Sequence, residues 1–266
     1  DCDYESLEPH TFAHVSGDEG LKDIFRNNWD FYSTIAIKTE GLNQYSPDKK
    51  APNYLRKLEP KLRNKAKAYA LGIPYGMGAY ALGMTLGIPT KEAKLLVDGY
   101  LNGFPELKKW MERSKKQAKE VGYVKTQVGR VRHLPKVKAI YDRIGDDLLD
   151  WNKKKELEQI HGVDKIKNLS RDYVNGLNNS CNVQIQGLAA SIVNRAALAI
   201  NRKFKELGLK GQVVAQIHDQ LVMEVEEAKA EEAAKIVQDC MENTTKLSIA
   251  LKAPPAITHN WRDGHG

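Results

Sequence analysis

The sequence predicts an α+β fold, helical over most of its length, with antiparallel strands confined to short hairpins. Three observations carry that reading. Residues 212–225 set two apolar, β-branched runs on either side of His218, Asp219 and Gln220, the pattern of two strands joined by a tight turn with Asp219 near its tip. Residues 123–127 and 131–135 repeat the pattern around Val128-Gly129-Arg130. Residues 183–207 carry Ala189, Ala190, Ile192, Val193, Ala196, Ala197 and Ile200 at the spacing of one buried helix face.

In chain order, residues 5–15 have helical spacing, with Leu7, Thr11, Phe12 and Val15 along one side. Ser16-Gly17-Asp18 breaks that pattern, and Asp18 is placed to cap a short helix through Phe25. Residues 30–37 form another short helix, and residues 41–53, with Pro47 and Pro52, a loop. A long helical pattern runs from Tyr54 toward Leu71, interrupted at Pro60, and Gly72 to Gly78 ends it. Thr90 is expected to cap a helix that buries Ala93, Leu96 and Tyr100. Gly103-Phe104-Pro105 interrupts the pattern, which resumes over residues 106–121. Residues 136–172 are highly charged with few apolar anchors, which predicts an exposed helical insertion or a mobile excursion. Residues 227–245 read as a helix and residues 247–257 as a final strand.

A chain of 266 residues suffices for one large domain or two small ones. Its longest apolar runs are too short to cross a bilayer, so no membrane association is expected, and no secretory leader opens it. Cys2, Cys181 and Cys240 are odd in number and far apart, which excludes a cysteine-rich zinc site and fits a reducing compartment, the cytoplasm. The net charge of +7 admits a polyanionic partner. Its distribution is more telling: Lys49, Lys50, Arg56, Lys57, Lys61, Arg63, Lys65 and Lys67 crowd a segment whose acids are Asp48 and Glu59.

Some of these residues can carry chemistry. Asp3 at a strand end and Asp219 at a hairpin tip could together hold a pair of Mg²⁺ ions for phosphoryl transfer. Each alone reads more simply as a surface turn residue. Arg63, Lys67 and Leu71 recur every four residues and share a helix face, with Tyr75 beyond. Two cations followed by an apolar and an aromatic residue suit a nucleotide, while a solvated basic helix is the plainer account. Gly72 and Gly76 weaken the plainer account, because they cost helix stability without a surface benefit. Asn182, Gln184 and Gln186, near the start of the 183–207 helix, suit minor-groove contacts, although polar residues are also common at helix starts.

Taken together, the chain resembles the polymerase core of family A DNA polymerases. Asp3-Tyr4-Glu5-Ser6-Leu7-Glu8 with Ala13-His14-Val15-Ser16-Gly17-Asp18 looks like that family's motif A. Arg63-x₃-Lys67-x₃-Leu71-Gly72-x₂-Tyr75-Gly76 is similar to motif B, and Gln216-Ile217-His218-Asp219 to motif C. Asn182-x₃-Gln186-Gly187 matches the minor-groove contact helix, and Asn260-Trp261 the usual C-terminal ending. The matches fall in family order over nearly the whole chain.

The resemblance implies a palm over residues 1–40 and 178–266, helical fingers over 41–122, and a hairpin with a charged insertion over 123–177. It implies two Mg²⁺ ions, replaceable by Mn²⁺, on Asp3, Asp219 and the Tyr4 carbonyl. Glu8 would exclude a ribose 2′-hydroxyl, Arg63 and Lys67 would hold the dNTP triphosphate beside Leu71, and Tyr75 would stack at the templating position. Gly72 and Gly76 would let the base pair or template approach the backbone, and His218, Asn182 and Gln186 would contact primer-template DNA.

Four positions depart from the pattern: Leu71 for an aromatic residue, Gln220 for the acid after Asp219, and His10 and Asn178 for arginines. The thumb, the first part of the palm and an exonuclease domain have no counterpart, and the insertion suggests a phage lineage. The expectation is therefore template-directed DNA synthesis by a split or truncated polymerase, with a second polypeptide supplying the thumb and N-terminal palm. A catalytically impaired nucleic-acid-binding subunit is the alternative. A metal-dependent nuclease would explain the aspartates but not Glu8 or the basic helix.

Overall fold

The computed structural model describes residues 1–260 and Asp263; Trp261 of the predicted C-terminal ending lies outside them. The fold is α+β. The chain forms two compact units, one built from Asp1–His14 with the segment from Gln186 onward, the other from Val15–Ile185.

Strand β1 (Cys2–Asp3) leads into α1 (Leu7–Ser16). His10 on α1 is buried, and its Nδ1 lies 2.8 Å from the Ser6 carbonyl oxygen, the geometry of an Nδ1–H donor. Burial holds its pKa below the ordinary histidine value of 6.5. The unfolded chain therefore takes up this proton first on acidification. His10's contribution to stability is fully present above pH 6.5 and is lost as pH falls through its lowered folded value. A His10→Gln variant, unfolded in urea at a series of pH values, is expected to lose less stability than wild type between pH 7.5 and 5.5. Parallel pH profiles would refute this.

Helix α2 (Glu19–Arg26) starts where the sequence predicts, with Asp18 Oδ1 accepting from Leu21 N at 3.2 Å. The sequence does not reveal that Asp18 caps a second helix. Its Oδ2 accepts from Glu106 N and Leu107 N, at 3.1 and 3.3 Å, at the start of a helix 88 residues further on. Asp18 is 2% exposed, so none of these donors can turn to water instead. Asp18→Ala is expected to cost about 2–4 kcal/mol of stability, one cap plus two orphaned donors. Urea unfolding checks this, and a loss below about 1 kcal/mol would leave Asp18 with one cap at most.

Helix α3 (Phe31–Glu40) is capped by Asp30 and ends on Gly41 at φ +68°. The loop that follows leads to α4 (Leu55–Leu58) and α5 (Pro60–Gly72). Pro60 sits at the first position of α5, where its missing N–H costs nothing, which explains the break seen in the sequence. Helix α6 (Ala79–Leu86) was not foreseen, because glycines at 76, 78, 83 and 87 hide its periodicity. In α7 (Thr90–Gly103) the cap position belongs to Pro89; Thr90 is the first helical residue, and no side-chain capping bond starts this helix among the described residues, contrary to expectation. Phe104 separates α7 from α8 (Pro105–Val121). Tyr69, Tyr100 and Phe104 pack in succession at the core, the first pair edge-to-face and the second tilted, with centroids 6.4 and 5.4 Å apart.

Strands β2 (Tyr123–Lys125) and β3 (Val131–His133) form the predicted antiparallel hairpin. The charged segment beyond it is not an excursion. Helices α9 (Pro135–Ile144) and α10 (Trp151–His161) join a core containing Val124, Val137, Ile140, Leu148, Ile166 and Tyr173. Tyr173 donates to Asp146 at 2.8 Å. A Cβ on Gly176 would collide with Val137, so the glycine permits that close packing.

Helix α11 (Val163–Glu206) starts 20 residues before the sequence placed it. Its buried Ile166, Tyr173 and Leu177 are outnumbered by surface charges, which conceals the helical period. One 18-residue window reaches a mean hydropathy of 1.2, long and apolar enough for a membrane span, contrary to the sequence estimate. Leu188, Ile192, Val193, Ala196 and Ile200 are nevertheless buried within the fold.

Strands β4 (Gly211–Ile217) and β5 (Gln220–Val225) form the main hairpin, followed by a 3₁₀ turn at Glu227–Lys229 and α12 (Ala230–Asn243). The sheet order is β1-β5-β4, antiparallel throughout. The expected last strand over residues 247–257 does not form. Pro254 and Pro255 lack ladder donors, and only an isolated bridge, Cys2 to Pro255, remains. That segment still covers the outer side of β1: Ala256 N donates to Asp1 O at 2.8 Å and Glu5 N to Lys252 O at 2.9 Å. Strand β1 is therefore flanked on both sides and is not the open edge its position in the sequence suggests. All three cysteines are free and buried, and burial pushes the Cys2 thiol up to about 12.

Candidate active site

In the first unit, the sheet register brings the two aspartates to neighbouring strand ends. Ile217 pairs with Gln220 across the hairpin, leaving His218 and Asp219 as a two-residue turn. Gln220 thus begins β5, a residue earlier than the three-residue tip suggests. Asp3 on β1 pairs with the same Gln220, immediately next to Asp219 in the chain. Asp3 is exposed and Asp219 partly so, while Gln220 opposite them is buried. Tyr4 is anchored by its hydroxyl, which donates to Met241 O at 2.7 Å; burial raises its pKa far above the phenol range. That anchor fixes the backbone next to Asp3. Glu8 lies half-buried in the first turn of α1.

His218 takes φ +55°, a left-handed value, while Asp219 does not. Positive φ at the first of two turn residues alone is the type II′ pattern, in which glycine is favoured. A histidine there costs about 1–2 kcal/mol. The exposed imidazole thus sits at a backbone position that glycine adopts without this strain.

The donors that the family resemblance implies, two carboxylates and the Tyr4 carbonyl, are oxygens. Hard oxygen donors suit Mg²⁺ or Mn²⁺ and disfavour zinc or copper. No group of three or more His, Cys, Asp or Glu residues able to hold a metal occurs among the described residues, as Gln220 in place of an acid implies. The residues fit a cation that keeps much of its own water. A cavity of about 400 Å³ in this unit, lined by Val214, Val222, Ala233, Val237 and Pro255, includes none of Asp3, Tyr4 or Asp219.

The second unit holds the basic helix. On α5, Arg63 donates through Nε to both oxygens of Asp30, at 2.8 and 2.9 Å. Its Cζ lies 5.1 Å from the Tyr32 ring centroid, and Lys67 Nζ lies 5.8 Å from the same centroid. Lys65 is held elsewhere, 2.7 Å from Glu40. Leu71 is half-buried one turn beyond Lys67. Past the helix, Gly76 has φ +92°, and a Cβ there would collide with the Asn178 side chain, whose Nδ2 donates to Gly76 O at 3.4 Å. A Cβ on Gly72 would lie 2.9 Å from Met77. Gly76 therefore has a reason inside the protein, whereas at Gly72 the end of the flexible Met77 side chain could give way. Tyr75 lies between them, partly buried.

Asn182 and Gln186 lie one turn apart in the middle of α11, not at its start, and share a face. Gln186 is exposed, whereas Asn182 Oδ1 is buried with no hydrogen-bond partner among the described residues. Gln184 is engaged internally, donating to Ser114 and to Ser180 O at 2.9 Å each. Asp3, Tyr4, Glu8, Gln186, His218 and Asp219 thus belong to the first unit; Arg63, Lys67, Leu71, Gly72, Tyr75, Gly76 and Asn182 belong to the second. Sequence reasoning missed Asp30 and Tyr32. Asp30 carries the signature of a cap and nothing more, and its pairing with Arg63 spans 33 residues.

The sequence profile of DNA polymerase family A matches residues 1–263. The thermostable DNA polymerase I of Thermus filiformis is 30% identical over 98% of this chain, and DNA polymerase I of Pseudomonas aeruginosa 29% over 99%. The chain spans only 26% and 25% of those relatives' lengths. A solved structure, the POL domain of Pol1 from M. smegmatis in complex with DNA primer-template and dNTP, superposes with a TM-score of 0.74 at 27% identity. It covers 95% of this chain and 38% of that one. This chain belongs to DNA polymerase family A.

Proposed function

We propose that this chain carries the nucleotidyl-transfer centre of a DNA-directed DNA polymerase. The observation that carries the reading is the register: Asp3 and Asp219, 216 positions apart in sequence, meet at adjacent strand ends through Gln220. A solved family relative bound to primer-template DNA and dNTP supplies the substrate class.

In this reading a primer 3′-hydroxyl attacks the α-phosphate of a dNTP paired to the template, and pyrophosphate leaves. Asp3, Asp219 and the Tyr4 carbonyl would hold two Mg²⁺ ions, with Mn²⁺ as a substitute. Bound there, the ions lower the pKa of the attacking hydroxyl and neutralise charge on the leaving phosphates. Arg63 and Lys67 bind the triphosphate, beside Leu71. Glu8 crowds the sugar 2′ position, Tyr75 stacks at the templating base, and Gly72 and Gly76 shape the turn that carries it. His218, Asn182 and Gln186 contact primer and template. The finer assignment is a phage-type enzyme acting in the cytoplasm, with a second polypeptide completing the grip on DNA.

Primer extension with Mg²⁺ tests the function, run with the chain alone and with the thumb and N-terminal palm portion of a family relative added. Elongation under either condition supports it. DNA binding without elongation under both supports the second reading, a catalytically impaired binding subunit. One observation favours that second reading, the lack of a third carboxylate near Asp3 and Asp219 among the described residues. Primer shortening would replace both with a nuclease.

A further inference from the structure

Arg63 is held more elaborately than a surface ion pair needs. We propose that Asp30 and Tyr32 are positioning residues that present Arg63 and Lys67 as a preformed site for a polyphosphate. The inference deepens the polymerase reading and rests on it for the identity of the anion, the triphosphate of a nucleotide.

A guanidinium carries five N–H donors in one plane. Asp30 takes the Nε edge with both oxygens, and no hydrogen bond to Nη1 or Nη2 occurs among the described residues. The end-on edge, one N–H from each Nη, is therefore left for a ligand, a pair of parallel donors that matches two phosphate oxygens. Asp30 cannot swing with its partner. Its side chain is 4% exposed, and Oδ1 also accepts from Ser33 N at 3.4 Å at the start of α3, where the helix dipole favours a carboxylate. The Tyr32 ring lies under the guanidinium and within reach of Lys67, so its negative face offsets part of the repulsion between the two cations. Two cations against one carboxylate leave an unmatched positive charge, which a purely structural ion pair would not.

Capping α3 does not explain this arrangement. A cap uses one oxygen, and asparagine serves about as well as aspartate. Asp30→Asn therefore keeps the cap but breaks the two-oxygen grip on Arg63, replacing Oδ2 with an amide nitrogen that cannot accept from Nε and removing the charge. If Asp30 merely neutralises Arg63, the variant must therefore bind anions more tightly. If Asp30 orients Arg63, the variant must bind more weakly, despite its added positive charge.

The test is calorimetric titration of the 266-residue chain with sodium tripolyphosphate at fixed ionic strength without divalent ions. Circular dichroism verifies the fold. Asp30→Asn is expected to weaken binding about tenfold. Tyr32→Phe should match wild type, and Tyr32→Leu should weaken binding about threefold, the loss of a half-exposed cation–π contact. Equal or tighter binding by a folded Asp30→Asn overturns the inference. If that variant does not fold, the Tyr32 pair decides, and equal affinities for Leu and Phe overturn it. A wild-type chain that does not bind tripolyphosphate also overturns it. The expected pattern in a chain that never extends a primer, alone or complemented, sinks the polymerase reading and leaves the polyphosphate site standing.

Discussion

Asp219→Ala and Asp3→Ala are each expected to reduce primer extension by at least about 10³-fold, the scale of losing a group that stabilises transition-state charge. DNA affinity should stay within a few-fold of wild type, because phosphate and groove contacts are assigned to other residues. Stability should also hold. Asp219 sits partly exposed in a two-residue turn and makes no hydrogen bond among the described residues, and Asp3 is exposed at the end of β1. The three readouts are single-nucleotide incorporation, gel mobility of a primer-template and thermal unfolding. The pattern matters more than any one value: activity lost with binding and stability kept. A variant that retains a tenth of the wild-type rate would remove that aspartate from the metal site. A variant that loses its rate only because it unfolds would make the aspartate structural, which the exposure of both side chains opposes.

Local chemistry was legible in the sequence, and long-range pairing was not. Asp18 was placed at a helix start because a cap acts within three residues, and Pro60 marked a break because its ring acts on its own turn. Helix α6 was lost because glycine suppresses the signal that periodicity relies on. The first 20 residues of α11 were lost because a helix half in solvent shows charges where the core residues are few. Residues 247–257 looked like a strand by apolar content, yet Pro254 and Pro255 remove the donors that a ladder needs. The candidate site divides the same way. The hairpin around Asp219 was readable from its two apolar runs. Its meeting with Asp3 depends on a register spanning the whole chain, for which only family resemblance gave a hint. The second caps of Asp18 and the clamp of Asp30 on Arg63 join positions 88 and 33 residues apart, and no periodicity encodes such distances.

The Arg63 clamp leads to the second large expected effect. Arg63→Ala should raise the KM for dNTP about 100-fold, near the value of a charge-assisted bidentate contact to phosphate. It should also cost about 2–4 kcal/mol of stability, because Asp30 is left with its charge buried and unpaired. The two losses confound each other in the alanine variant, since a weakened helix could by itself impair nucleotide binding. Arg63→Lys separates them. An ammonium keeps the charge opposite Asp30, so most of the stability should return. It is a point charge, however, and has no second edge of donors to offer once Asp30 is paired. The lysine variant should therefore resemble wild type in urea unfolding and the alanine variant in KM, with kcat changing less than KM in both. If KM recovers together with stability, charge alone is what Arg63 supplies. If neither recovers, the ion pair with Asp30 requires the guanidinium fork, and the helix face from Arg63 to Tyr75 is held by that geometry as much as by its packing.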